Sequence, residues 1–213
     1  CTVGNYDYGF YWSFFQDGTI NVEVKLTGCL NTGTFDETGT SKYGSEIAPG
    51  LLAVHHQHFF NFRLDTMLDG VKNSVVETET CAELDGTNNP HSNAFYPVSR
   101  TFKTEKEAVR TLDFQTQRTW KIVNKNSKNF VNQPVGYKIM PGENCLPYAH
   151  DSASVIKRAG FLKNHLYVTQ YNRDELYATG KYPNQHKGGE GLTKYIENDR
   201  PIDDEDIVVW YTM

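Results

Sequence analysis

Residues 20–26 alternate with a period of two just after a turn signal. Ile20, Val22, Val24 and Leu26 are separated by polar residues, and an aromatic run at 10–15 precedes them across Asp17-Gly18. That period belongs to a strand with one buried face, and Asp-Gly between two such runs marks a hairpin. Further strands are predicted over 51–65, 71–84, 94–102, 111–123, 135–140, 166–171 and 207–212, with Asp69-Gly70 as another turn. Loops rich in glycine and small polar residues fill 31–50 and 85–92. Only 105–110 and 152–159 read as helical, and both are short. The 13 tyrosines and 12 phenylalanines suit pleated sheets. With no repeat and no flexible linker, the expectation is one all-β domain, an antiparallel β-sandwich.

Composition narrows the function. A chain of 213 residues can bury a sizeable core. A net charge of −5 without a run of Lys or Arg argues against nucleic acid or an anionic membrane surface as partner. No apolar stretch reaches the roughly 18 residues a membrane helix needs. Cys1, Cys29, Cys81 and Cys145 show neither CxxC nor CxxH spacing, so they read as ordinary thiols, with one disulfide among them as the alternative. No Asn-x-Ser/Thr sequon is present, which tilts away from a heavily glycosylated secreted protein.

His55, His56 and His58 stand in the predicted strand 51–65. On a strand, His56 and His58 share a face with Phe60, Phe62 and Leu64, so both are predicted to point inward and His55 away. Two imidazoles two residues apart can converge on one metal ion, and imidazole suits copper, zinc or iron. The plainer alternative is a pair of partly buried histidines satisfied by hydrogen bonds. Cupins and carbonic anhydrases also carry His-x-His on strands, so the spacing alone does not name a metal.

A second motif does. Asn5-Tyr6-Asp7-Tyr8, preceded by Thr2-Val3-Gly4, lies before the aromatic strand and the Asp-Gly turn, and His56-Gln57-His58 follows fifty residues after Tyr6. Asn61-Phe62-Arg63-Leu64-Asp65, Gln133-Pro134-Val135-Gly136-Tyr137-Lys138 and Asp206-Ile207-Val208-Val209-Trp210 continue the pattern. Together these segments resemble the copper amine oxidases over essentially the whole chain. The resemblance implies oxidative deamination of primary amines to aldehyde, ammonia and hydrogen peroxide, using Cu(II) and topaquinone. Tyr6 would be the topaquinone precursor and, once converted, the Schiff-base electrophile. A phenol with a pKa near 10 reacts poorly at neutral pH, and a neighbouring Cu(II) ion changes that. Asn5 would orient the quinone, and Asp7 fills the acidic slot of the motif with no role in proton transfer. His56 and His58 would bind copper, with a third histidine expected shortly beyond Met213 and the α-proton base upstream of Cys1. Residues 1–213 would then be part of the family's single catalytic β-sandwich, the "supersandwich", truncated at both ends. The isolated piece is expected to be inactive and copper-poor.

The resemblance also implies a second ion, calcium or sodium, at Asp65 and Asp206 with the carbonyls of Thr66 and Ile207. Met67 stands where some relatives carry a further aspartate, which favours sodium or no ion; a solvated acidic turn is the alternative. Partners would be a primary amine, dioxygen and a second copy in a homodimer, with no nucleic acid and no membrane. Peroxisome, cytoplasm and periplasm all stay open. Two other readings compete. A cupin-like non-haem metal dioxygenase would need a glutamate two to six residues after His58, which the sequence lacks. A non-catalytic β-sandwich binding module would carry its aromatics on the solvent face, whereas here they share the histidines' predicted inward parity.

Overall fold

A computed structural model describes residues 1–35 and 41–213. They form antiparallel strands: β1 (Thr2–Val3), β2 (Tyr6–Phe14), β3 (Ile20–Gly28), β4 (Thr32–Thr34), β5 (Gly44–Ala48), β6 (Leu51–Val54), β7 (Asn61–Asp65), β8 (Ser74–Ala82), β9 (Phe95–Thr101), β10 (Thr119–Lys128), β11 (Pro134–Ile139), β12 (Leu166–Gln170) and β13 (Ile207–Thr212). The helices are short: α1 (Ser154–Arg158), α2 (Leu192–Tyr195) and two 3-10 turns, Gly160–Lys163 and Ile196–Asn198. The all-β expectation therefore holds. The described residues divide into two compact units, Cys1–His58 and Phe59–Met213.

In the first unit β1, β2 and β3 form one sheet, and β4, β6 and β5 another. The β2–β3 hairpin closes where predicted. Asp17 accepts the Thr19 amide at 2.8 Å, and Gly18 supplies the positive φ of +87° that the turn needs. Across the ladder Phe10, Trp12 and Phe14 face Val24, Val22 and Ile20. The predicted buried face is not found: Phe10 and Trp12 are each 45% exposed, Phe14 74% and Tyr11, on the other parity, 52%. Parity therefore does not sort the hairpin aromatics into inside and outside, and they do not share an inward face as expected. The expected loop 31–50 contains β4 and β5, both paired with β6; its residues 36–40 lie outside those described.

The second unit holds the core. Sheet β11-β10-β8-β9 contributes Val75, Trp120 and Ile122, and sheet β12-β13-β7 contributes Leu166, Val168, Ile207, Val209 and Tyr211, to one apolar cluster. The opposite parity of the second sheet, Tyr167, Val208 and Trp210, packs on Ile156 of α1, Phe161 and Leu162 of the 3-10 turn and Leu192 of α2. A strand covered on both faces reads as a continuous apolar run, which is why Ile207–Thr212 shows no polar alternation and is buried throughout.

Two predicted elements fail for local reasons. Residues 105–110 form a turn, not a helix. Glu105 is fully buried, and its carboxylate takes the Gln170 and Arg200 amides and the Arg200 guanidinium. Backbone bridges from Thr104 to Pro201 and from Arg110 to Leu166 pin both ends of the segment. The strand predicted from residue 111 starts only at Thr119, because Asp113 folds a side-chain turn. It accepts the Gln115 amide at 2.9 Å and the Thr116 hydroxyl at 3.1 Å.

Candidate metal centre

Asn5, Tyr6, His56 and His58, singled out in the sequence, lie in the first unit. Tyr6 and Tyr8 lie two apart on β2 and so project from the same side of the strand. Asn5 precedes them in a clamp: its side-chain amide donates to the Cys29 carbonyl at 2.7 Å, and its own carbonyl accepts the Cys29 amide at 2.8 Å. Gly28 is the residue opposite Tyr6 in the ladder. A Cβ there would stand 2.5 Å from the Asn5 carbonyl oxygen and 3.0 Å from Tyr6 Cα, so only glycine lets the strands approach this closely. Asp7 turns away and accepts the Thr2 hydroxyl at 2.6 Å.

The histidines do not ride on a strand as expected. β6 pairs with β4 and β5, whereas β7 pairs with β13, so residues 51–65 serve two different sheets and cannot form one strand. The His55 amide makes a final rung to the Tyr43 carbonyl at 3.0 Å, and residues 56–59 lie outside the named strands before Phe60 pairs with Met213. His56 is accordingly exposed and His58 half-buried, not inward-facing.

The two imidazoles nevertheless converge. Their ring centroids are 4.8 Å apart, and the Tyr6 ring stands edge-on to His58 at 4.9 Å. His56 Nδ1 lies 2.7 Å from the Val54 carbonyl oxygen. A carbonyl only accepts, so the neutral ring carries its proton on Nδ1 and its lone pair on Nε2. The Tyr6 hydroxyl donates to that Nε2 at 2.7 Å. His58 Nδ1 lies 3.1 Å from the Tyr8 hydroxyl. Burial first, and then the neighbouring His56, push the His58 pKa down, favouring the neutral ring that metal ligation requires. Among the described residues no group of three or more His, Cys, Asp or Glu side chains is placed to hold a metal ion. The site offers two imidazoles and a phenol.

Tyr8, the Val54 carbonyl and Gly28 were missed as contributors. For Tyr8 a signal existed: its offset of two from Tyr6 equals that of His58 from His56.

In the second unit Asp65 closes β7 and Asp206 precedes β13. Burial, and then the Asp65 charge, raise the Asp206 pKa, so the two carboxylates feel one another. The Ile207 carbonyl, one of the predicted oxygen donors, already accepts the Thr66 amide at 3.4 Å and the Thr66 hydroxyl at 3.1 Å. Asp65 also meets Arg63 at 3.3 Å, and Met67 is 74% exposed. His165 is a core histidine: Nδ1 accepts the Leu112 amide at 3.0 Å and Nε2 donates to the Cys145 carbonyl at 3.3 Å. All four cysteines are free thiols; Cys81 is half-buried and the other three are exposed. No described helix is long and apolar enough to cross a membrane.

The sequence profile of the copper amine oxidase enzyme domain matches residues 1–213. A copper-containing diamine oxidase, peroxisomal, from Nicotiana tabacum is 44% identical over 99% of this chain and 28% of its own length. A histamine oxidase from Arthrobacter globiformis is 46% identical over 99% of this chain and 31% of its own. The chain thus spans under a third of the length of these relatives, which include a peroxisomal plant enzyme and a bacterial one. Among solved structures, a copper-containing benzylamine oxidase from Hansenula polymorpha superposes over the whole chain and 34% of its own, with a TM-score of 0.91 at 32% identity.

Proposed function

The chain belongs to the copper amine oxidase family, and from that premise we propose that it carries part of the active site of a primary-amine oxidase. The reading is oxidative deamination of a primary amine to aldehyde, ammonia and hydrogen peroxide. One observation carries it: the Tyr6 hydroxyl rests 2.7 Å from the lone-pair nitrogen of His56. A metal ion held by that nitrogen would have the phenol beside it.

The donor set fits copper. Imidazole nitrogens and a phenolate oxygen are ligands that Cu(II) accepts readily. The bond from His56 Nδ1 to the Val54 carbonyl is the outer-shell contact that fixes a ligating histidine's tautomer. His56 and His58 would hold the ion. When bound, copper together with dioxygen would supply the oxidation that turns the Tyr6 ring into topaquinone, whose carbonyl takes up the amine. Asn5, clamped to the Cys29 backbone, fixes the turn from which Tyr6 projects, and through it the plane of the ring. On this reading a third histidine and a proton-abstracting base would complete the site, supplied by other parts of a protein of which relatives are over three times as long as this chain. On this reading the isolated chain would be inactive. Residues 1–213 form part of one catalytic domain, a reading supported by the enzyme-domain match along their whole length.

A second ion is a subsidiary reading. Asp65 and Asp206 are close enough for the one to raise the other's pKa, and a hard cation between them would relieve that repulsion. The aspartates favour it; the occupied Ile207 carbonyl weakens it.

The test uses the complete protein that carries this chain. Loaded with copper in air, it should produce hydrogen peroxide on addition of a primary amine. His56→Ala and His58→Ala should each remove stoichiometric copper and that activity together. Full copper binding by both variants would refute the assignment.

A further inference from the structure

Tyr6 and Tyr8 both touch an imidazole, yet they touch chemically different nitrogens. Tyr6 meets Nε2 of His56, the nitrogen left with a lone pair once Nδ1 is bound to the Val54 carbonyl. Tyr8 meets Nδ1 of His58. An imidazole that ligates through one nitrogen needs a partner on the other to fix its tautomer and ring orientation. For His56 that partner is a backbone carbonyl. For His58 the oxygen set against Nδ1 is the phenol of Tyr8, at 3.1 Å.

We propose that Tyr8 is a positioning residue: its hydroxyl oxygen accepts the Nδ1 proton of His58, so that the Nε2 lone pair of His58 faces the metal. The role rests on the reading that His56 and His58 hold copper. A hydroxyl can accept a hydrogen bond while its own proton points elsewhere, so the phenol is chemically competent for it. The rings support the same restraint. His58 is bracketed edge-on by Tyr6 at 4.9 Å and by Tyr8 at 5.8 Å, which opposes a ring flip that would put a carbon where each nitrogen stands. The matched spacing explains the pairing: residues two apart on β2 meet residues two apart after β6, giving Tyr6 to His56 and Tyr8 to His58. It also separates the fates of the two phenols. Tyr6 lies on a metal-side nitrogen and is exposed to oxidation, whereas Tyr8 lies on a remote nitrogen and stays a tyrosine.

The test again uses the complete protein, first without metal. In the ¹⁵N-histidine spectrum His58 should show a protonated Nδ1 and an unprotonated Nε2. Tyr8→Phe should mix the two tautomers and weaken Cu(II) binding, measured by chelator competition, on the order of 10-fold. Fluorotyrosine at position 8, which keeps the oxygen, should restore the affinity to within a few fold of the unsubstituted protein. A His58 proton on Nε2, or unchanged affinity in a folded Tyr8→Phe protein, overturns the proposal; if that variant does not fold, the tautomer of the unsubstituted protein decides. His58→Ala separates the two claims. Copper lost in His58→Ala but kept in Tyr8→Phe removes only the role of Tyr8, while copper kept in both removes the metal site itself.

Discussion

The two units solve opposite problems. Phe59–Met213 supplies every fully buried hydrophobic residue among those described except Leu52, whereas Cys1–His58 supplies Leu52 alone. Yet Tyr6, Tyr8, His56 and His58 all lie in the unit with almost no core. Their geometry comes from hydrogen bonds to backbone at Val54 and Cys29, and from one glycine at a close strand approach. The larger unit is held by packing and by buried ion pairs. Substitutions should therefore divide cleanly: those in the larger unit change stability, and those in the smaller one change the site.

The most direct way to break that division is a pair of tryptophans. Trp210 is 1% exposed between α2 and its neighbours, and its indole donates to Thr169 at 3.0 Å. Trp210→Ala should cost about 4 kcal/mol in chemical denaturation. Trp12, 45% exposed on β2 and facing Val22 across the ladder, should cost about 1 kcal/mol on the same change. Equal losses would mean that the hairpin is buried after all.

Glu77 comes next. At 1% exposure its carboxylate accepts from Arg100, Arg110 and the Trp120 indole. Burial alone would raise its pKa, but these bonds outweigh burial and lower it. Glu77→Gln removes the buried anion on which these donors converge and should cost about 3 kcal/mol, read as a lower denaturation midpoint. A loss below about 1 kcal/mol would show that solvent replaces the carboxylate at little cost.

Gly28→Ala sharpens the comparison from the other side. At φ +106°, with a Cβ 2.5 Å from the Asn5 carbonyl, alanine is strained by about 2 kcal/mol and must displace the Asn5–Tyr6 turn. Its signature should be a change in the Tyr6 and His56 resonances out of proportion to the stability lost. Unchanged resonances would mean the turn yields elsewhere.

The last effect, of similar size but confined to low pH, concerns acid. Burial alone would raise the Asp203 pKa, but hydrogen bonds from Lys103, Lys125 and Ser74 hold it down to about 2 from an ordinary 3.8. A depressed carboxyl stabilises the fold fully above its unfolded pKa and loses that contribution as pH falls through the folded one. The contribution, on the order of 2 kcal/mol, should therefore fade between 3.8 and about 2. In Asp203→Asn, the acid limb of the stability profile should flatten in that window. An unaltered limb would assign it to other groups.

These contrasts also explain what the sequence could and could not tell. Ile207–Thr212 and the β2–β3 hairpin were legible because strand texture and an Asp-Gly turn are local signals. The helix expected at 105–110 was not, because Glu105 is claimed by Arg200 and Gln170, residues far away in the chain. The exposure of the hairpin could not be read either, since alternation records which residues can be buried, not what covers them. At the site, Tyr6 and the histidine pair stood out as residue types at a telling spacing. The break in the strand at His55 did not, because it depends on β6 and β7 pairing in different sheets.

The central claim is that Tyr6, through its contact with His56, becomes the cofactor. The mass of the peptide containing Tyr6 and Tyr8, taken from the complete protein matured with copper and oxygen, tests it most directly. The account predicts a gain of two oxygens and a loss of two hydrogens, with fragment ions locating the change on Tyr6 and leaving Tyr8 unaltered. An unmodified Tyr6 in a protein shown to hold copper at His56 and His58, or a modification on Tyr8, would contradict it.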